Sequence, residues 1–380
     1  MKPLQVEIMA QTIITTSAAQ TKKKWAGALF NSSVPESYWG SHFMKEGSAE
    51  SAPNAPIHLI TDLEKDSGDE VNFDIYAQLT GSPTYGDDNL EGNEESLTPY
   101  SDKILINQVR KATDSGGEMT RKRTTNNHRM ICRNKLTDWW SRFFDEAVFM
   151  NISGARGSNA DYILPTASTA AIEGQSLVAR SSGNIIYAGS ATAKNNMIVD
   201  DKFSLTSIDK AVTKAETEGG GSDGVIRVTP LRMDGVDKFV CLMHNFQEHD
   251  LRTSTTTGQW LDIQKATATN NGTKNPIFTG SLGEYRGVVL HKHNKVTRFT
   301  DYGIGTNVAA ARAIFMGRQA MVAAFGSPAN GLRFDWAEEW RDYKNRLGIS
   351  TKCIVGLKRP QFNGNDVNSI VIDSAAAQPY

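Results

Sequence analysis

The chain has 380 residues, with 41 Lys plus Arg set against 42 Asp plus Glu, and a formal net charge of -1. That length exceeds one ordinary hydrophobic core, so it predicts two domains or a body with long arms, and the balanced charge gives no support to a general polyanion binder. Three widely spaced cysteines, Cys132, Cys241 and Cys353, form neither a disulfide framework nor a paired-cysteine metal knuckle and read as buried thiols of a reducing compartment.

At the start of the chain the lysines Lys22 to Lys24 follow the mildly apolar part, the reverse of a secretory signal. No window approaches the roughly 18 unbroken apolar residues of a membrane span, so the chain reads as a soluble product of the cytoplasm. Residues 1 to 66 scatter Trp25, Leu29, Phe30, Tyr38, Trp39 and Phe43 among small polar residues. Such anchors are too sparse for a self-contained core and predict an arm that lies against something else.

Val71 to Leu79 alternates apolar and polar at period two, and Asp102 to Arg110 is a second strand candidate. Paired antiparallel, they make a ribbon whose tip carries Gly81, Pro83, Gly86, Gly92 and Pro99. The stretch between them is far too long for a hairpin turn, and loops of that length usually have a function of their own.

From Met119 to Ser153 the period becomes helical. Leu136, Trp139, Trp140, Phe143, Phe144, Ala147, Met150 and Ile152 recur at spacings of three and four, and Gly154 with Gly157 ends the run. The spacing predicts one spine helix over 119 to 153, some 45 Å long, with Asn126-Asn127-His128 on its solvated face. A second helix is predicted over Ser204 to Glu218, with Thr206 and Asp209 at capping-box spacing and Gly219 to Gly221 as its stop. Further on come a strand at 237 to 244, a short helix at 259 to 267, a strand at 287 to 291, an apolar stretch at 309 to 325, and strands at 351 to 357 and 369 to 373. Helices and strands mix without regular alternation, which predicts an α+β fold over a doubly wound sheet.

Chemical motifs are weak. His291-Lys-His293 offers two imidazoles on one side of a strand, but a zinc site needs further ligands that the sequence does not announce. A metal-dependent hydrolase built on these two histidines is the alternative of another class. Gly219 to Gly224 lacks the Lys-Ser/Thr of a phosphate loop, Gly-x-Ser-x-Gly is absent, and Glu338-Glu339 reads as helix surface. No catalytic, metal or cofactor residue is predicted.

Charge is segregated. Between Asp66 and Asp102 there are ten carboxylates and no Lys or Arg, whereas Lys103 to Arg142 holds ten Lys or Arg against three carboxylates. A ribbon of like charges repels itself, yet it is attracted to a basic helix on another surface. Asp87, Asp88, Glu91, Glu94 and Glu95 are therefore the expected inter-subunit contacts, with Arg121, Lys122, Arg123, Arg129 and Arg133 as receivers.

A specific resemblance runs along these same segments. It begins with Ile60-Thr-Asp-Leu-Glu-Lys65, Gly68-Asp69, Gln78-Leu-Thr-Gly81, Asn89-Leu-Glu-Gly-Asn-Glu-Glu95, Leu97-Thr98, Tyr100-Ser-Asp102, Ile104 and Ile106. It continues through Gly117, Met119, Leu136, Trp139-Trp140, Ser153-Gly-Ala-Arg-Gly157, Gly283, Tyr285, Gly287-Val-Val289, Arg312-Ala-Ile and Gly317-Arg-Gln-Ala320. From about residue 20 onward the chain resembles tailed-phage major capsid proteins, in particular the coat family of short-tailed phages of the large-virion-polymerase group.

The resemblance implies the tailed-phage and herpesvirus coat fold, with an N-terminal arm at 1–66, an extended loop at 67–118, a peripheral domain at 119–200 with its spine helix, an axial domain at 201–326, and return strands of the peripheral domain at 327–380. It further implies a structural subunit, not an enzyme, that self-assembles as hexamers and pentamers into an icosahedral shell enclosing double-stranded DNA. Portal, scaffold and decoration proteins are the implied partners, no membrane or cofactor is implied, and the location is the virion after assembly in the bacterial cytoplasm. Some relatives weld neighbours through a loop lysine; none stands between Asp66 and Asp102, so that chemistry is not expected here. A cellular nanocompartment shell of the same fold is the alternative within this class.

Overall fold

The computed structural model describes residues 37–47, 53–60, 68–76, 79, 81–96, 99–218, 226–233, 235–254, 283–327 and 333–380. The expected helix at 259–267 and the glycine run at 219–224 lie outside them, as do the anchors Trp25, Leu29 and Phe30.

The arm contributes a short helix α1 (Tyr38–His42), then β1 (Met44–Gly47) and β2 (Ile57–Ile60). Its anchors do lie against something else: Trp39 and Phe43 are buried, and the Trp39 ring meets Phe149 edge-on at 5.0 Å. The ribbon is the antiparallel pair β3 (Glu70–Tyr76) and β4 (Pro99–Leu105). The strand expected over 102–110 is in fact two. The chain turns at Ile106, whose N–H donates to the Asp69 carbonyl, and β5 (Asn107–Asp114) leaves the ribbon to pair with a later strand.

The single helix expected over 119–153 is also two, α2 (Glu118–Arg123) and α3 (His128–Ser153). Between them stand Thr124, Thr125, Asn126 and Asn127, residue types whose side chains compete for nearby backbone groups and favour caps over helix interiors. Asn127 is the N-cap of α3, and its side chain accepts from the Met130 N–H at 3.3 Å. The pair of asparagines that read as a solvated face is thus the start of the helix. The 26 residues of α3 are amphipathic in the first half and buried all round from Phe143 to Met150. Gly154 ends it in the left-handed region at φ 71, where a Cβ would lie 2.7 Å from the Val178 carbonyl oxygen.

After the hairpin β6 (Ala170–Ile172) and β7 (Gln175–Ser176) come β8 (Ile185–Tyr187) and α4 (Leu205–Thr217). Ile208, Val212 and Ala215, spaced three and four apart, form a buried stripe, but the capping box is not formed. Ser204 is the N-cap and makes no side-chain cap bond, while Asp209 is drawn away to accept from the Tyr285 hydroxyl at 3.0 Å and from Arg286 at 3.2 Å. The remaining elements are β9 (Leu231–Met233), β10 (Val236–Met243), α5 (Asn245–Thr253), β11 (Gly283–Tyr285), β12 (Val288–Lys292), β13 (Arg298–Tyr302) and β14 (Val308–Met316). They are followed by β15 (Met321–Gly326), β16 (Phe334–Arg341), β17 (Arg346–Lys358), β18 (Gln361–Phe362), β19 (Asn365–Asp366) and β20 (Ser369–Ala375).

Among the described residues two larger sheets form. The first has the order β1-β2-β15-β17-β16, with β5 also on β17; the second has the order β11-β12-β10-β14-β20-β8, with β13 on β14 and β9 on β10. The apolar stretch at 309–325 is therefore two strands in different sheets, separated by a turn in which Gln319 has φ 56. The boundaries drawn from the resemblance cut across this pairing. β15 lies before residue 327 yet belongs to the first sheet, and β20 lies after it yet pairs with β14 over seven registered positions of the second. Glu338 and Glu339 sit on strand β16, not on a helix.

The first core lies between α3 and the first sheet, where Trp140, Phe144, Phe325, Phe334 and Val355 meet. The Trp140 indole N–H donates to Thr351 Oγ1 at 2.7 Å, so the ring is buried with its polar atom satisfied. The second core packs the apolar face of α4 on Val288, Leu290, Phe315 and Ile372 of the second sheet.

Candidate inter-subunit surface

The root of the ribbon is built into the body. Val71 and Ile104 pack with Ile60, Val322 and Ala324 of the first sheet, and Phe73 and Ile106 lie against that cluster. Lys358 of β17 pairs with Asp102 and also donates to the Lys103 carbonyl at 2.8 Å, while Lys103 pairs across the ribbon with Glu70 at 3.0 Å. Apolar burial and the Lys358–Asp102 pair thus hold the base against the first sheet.

The tip has no such support. Residues 81–96 form no regular element, and nearly all are exposed. Two turns shape them, with Asp88 N–H donating to the Tyr85 carbonyl at 3.2 Å and Asn93 N–H to the Leu90 carbonyl at 3.0 Å. Glu95 accepts from Gly81 N–H at 2.6 Å and Glu94 from Gly92 N–H at 2.8 Å, so these two of the five expected contact acids organise the loop itself. Asp87, Asp88 and Glu91 form no ion pair among the described residues and face solvent. Beside them Leu79, Tyr85 and Leu90 are 61%, 74% and 63% exposed.

The five basic residues expected as receivers divide in the same way. Arg121 lies with its guanidinium 4.9 Å from the Trp340 ring centre and donates to the Asn345 carbonyl at 3.2 Å. Arg129 forms a 2.7 Å ion pair with Glu338, and Arg133 is half-buried on α3. Lys122 and Arg123, at the end of α2, are exposed and form no ion pair among the described residues. Asp87, Asp88 and Glu91 pair with none of the five among the described residues.

The hydrolase alternative finds no site. His291 and His293 are half-buried against Phe43, Tyr38 and Phe149, and no group of three His, Cys, Asp or Glu able to hold a metal occurs among the described residues. The three cysteines are buried, and burial pushes the Cys132, Cys241 and Cys353 thiols up, Cys241 to about 12, which leaves them inert. Among the described residues no helix is long and apolar enough to cross a membrane.

A family model described as phage capsid protein matches residues 12–378. This chain belongs to the phage capsid protein family. The major capsid protein of Pseudomonas phage KPP25 is 27% identical over 335 residues, covering 81% of this chain and 82% of that one. Among solved structures, the capsid of Ralstonia phage GP4 matches with a TM-score of 0.81 and 39% identity over the whole of both chains. A cyanophage Pam1 capsid subunit matches over the whole of both chains with a TM-score of 0.71 at 17% identity, which speaks to the fold alone. The capsid protein is thus a structural subunit of a phage shell, a major capsid protein in role.

What the sequence reading missed in this surface is the internal engagement of Arg121, Arg129, Glu94 and Glu95. The arginines' partners Asn345, Trp340 and Glu338 lie more than 200 residues away along the chain, whereas the two glutamates bond to backbone N–H groups within the loop itself.

Proposed function

We propose that the chain assembles as hexamers and pentamers into an icosahedral shell, and that the loop tip of each copy docks on the basic helix end of the next. The first sheet with α3 serves as the peripheral domain, the second sheet with α4 as the axial domain, and the ribbon as the extended loop. Asp87, Asp88 and Glu91 meet Lys122 and Arg123 of the neighbour, and Leu79, Tyr85 and Leu90 supply the apolar part of the contact.

The observation that carries this reading is the division of labour within the ribbon, whose root is anchored by apolar packing and Lys358 while its tip exposes three large apolar residues and three acids. Unlike patches that meet head to tail close into rings when the rotation allows, which is the symmetry a hexamer or pentamer requires. Each exposed ion pair contributes only about 0 to 1 kcal/mol, so the charges set register and approach while apolar burial supplies most of the attraction. The packaged double-stranded DNA is enclosed without sequence reading. Portal, scaffold and decoration proteins complete the particle, which assembles in the host cytoplasm.

The test is the triple substitution Asp87→Lys, Asp88→Lys and Glu91→Lys. Subunits with unchanged circular dichroism that fail to make shells under the electron microscope support the docking; shells of normal size and yield refute it.

A further inference from the structure

Three elements meet at one aromatic joint. The arm supplies Tyr38, His42 and Phe43, α3 supplies Asp145 and Phe149, and the second sheet supplies His291 at the end of β12 and His293 just beyond it. The His293 ring stacks on Phe149 at 5.2 Å and lies 4.5 Å from the Tyr38 ring, so it is sandwiched between arm and spine. His291 meets Phe43 edge-on at 5.2 Å and His42 at 6.3 Å. Asp145 accepts from the Trp39 N–H at 3.4 Å.

The geometry demands a neutral His293. Its Nδ1 accepts the Lys295 backbone N–H at 3.2 Å, and a proton on Nδ1 removes that acceptor. Burial, then the Lys295 ammonium, holds the His293 imidazole down to about 4, with Asp161 alone working the other way among the named charges. The faces of Tyr38 and Phe149 favour a cation as well, but burial outweighs them. His291 is held down to about 4 by burial and by His42. The other charged groups at the joint are Asp145 and the buried Glu146–Lys295 pair at 3.0 Å, with His244 packed beyond His293.

We propose that this joint is an acid-operated latch on the arm, in which neutral His291 and His293 hold residues 37–47 against α3 and the second sheet and their protonation frees that segment. Freeing it also detaches β1 from the edge of the first sheet, since among the described residues β1 pairs only with β2, in parallel. The latch needs no neighbouring subunit, so its test is independent of shell formation.

The test is amide hydrogen exchange of segment 37–47 in the full-length chain, corrected for the intrinsic rate at each pH. Protection of 37–47 is expected to fall about tenfold or more between pH 7 and pH 5, because an unfolded histidine titrates near 6.5, while residues 143–150 stay protected. The double variant His291→Gln, His293→Gln, whose glutamine can still accept from Lys295, should hold its protection across that range, and His42→Gln should behave like the parent. Asp161→Asn, an exposed change that removes the carboxylate favouring the latched His293 cation, should move the release to higher pH, because the protonated latch loses support while the freed histidine does not, and it serves should the double variant fail to fold. A segment that keeps its protection at pH 5 in the parent, a double variant that releases at the parent's midpoint, or an unmoved midpoint in Asp161→Asn each overturns the latch.

Discussion

Arg312 and Asp373 stand directly opposite each other in the β14–β20 register and are joined by two buried bonds, Nε to Oδ1 at 2.7 Å and Nη2 to Oδ2 at 2.8 Å. The pair sits at the C-terminus of α3, where three arginines donate to successive carbonyls. Arg359 reaches Asn151 at 3.0 Å, Arg180 reaches Ile152 at 3.2 Å, and Arg312 reaches Ser153 at 2.8 Å. Cations at the negative end of a helix dipole are favourable, and here they also satisfy carbonyls that have no partner within the helix. Asp366 pairs with Arg180 and Arg359, so the carboxylates keep three guanidinium groups from standing together uncompensated.

Removing one member of a buried pair strands the other, which typically costs about 3 to 5 kcal/mol. Asp373→Asn, which leaves Arg312 charged at the junction of helix and sheet, should therefore lower unfolding stability by about that amount at neutral pH. Denaturant titration of the purified chain measures it. A loss below about 1 kcal/mol would show that Ser153 and Tyr302 alone satisfy the guanidinium.

The N-terminal end of α3 rests on a single side chain. Asn127→Ala removes the cap that accepts from Met130 and should destabilise by about 1 kcal/mol, whereas Asn127→Asp keeps an acceptor beside the positive helix end and should be neutral or better. Thermal unfolding of the three proteins gives the order, and an alanine variant that melts with the parent would mean that this end of α3 frays without cost.

The ribbon root offers a separate handle. Lys358→Ala deletes the pairing to Asp102 but leaves the Val71–Ile104 packing intact. Both groups are partly exposed, so the expected stability loss is within about 1 kcal/mol. The local effect should be larger, as faster nicking of the tip at 81–96 by a protease under native conditions. Equal nicking rates in variant and parent would show that the apolar cluster alone fixes the base.

Much of the fold was legible because its signals are local. The stripe of α4, the apolar face of α3 and the acidic ribbon are each written within one window of sequence. The break at 124–127 was also written there, in two threonines and two asparagines, but the strong apolar periodicity on its C-terminal side outweighed it. The choice of sheet for β15 and β20 was not legible, since both are uniformly apolar runs that suit any central position. Arg312 was the one overlooked signal, a lone arginine inside the apolar run Val308–Met316, where a buried charge calls for a partner. The acids of the candidate surface are legible as an exposed block, but which of them bond within the loop depends on the Gly81 and Gly92 N–H groups, whose placement composition does not reveal.

Asp145 sets an opposing pH response at the arm joint. Burial pushes its carboxyl up to about 6, against the Tyr38 and Trp39 amides and Lys295, which favour the charged form. A folded value above the unfolded one, near 3.9, means that the native state binds this proton more tightly, so Asp145 adds stability as pH falls from above 6 toward 4. His244, His291 and His293, each held down to about 4, carry the reverse sign: their stability is complete above 6.5 and is lost as pH falls toward 4. Asp145→Asn keeps an acceptor for Trp39 and removes the cost of a buried charge. It should raise stability at pH 7.5 by up to roughly 2 kcal/mol and make the acid loss between pH 6 and 4.5 steeper. Denaturant midpoints at pH 7.5, 6 and 5 test both parts. A variant less stable than the parent at pH 7.5 would show that the carboxylate's bonds to the arm outweigh its desolvation, and a slope equal to the parent's below pH 6 would show that Asp145 does not titrate there.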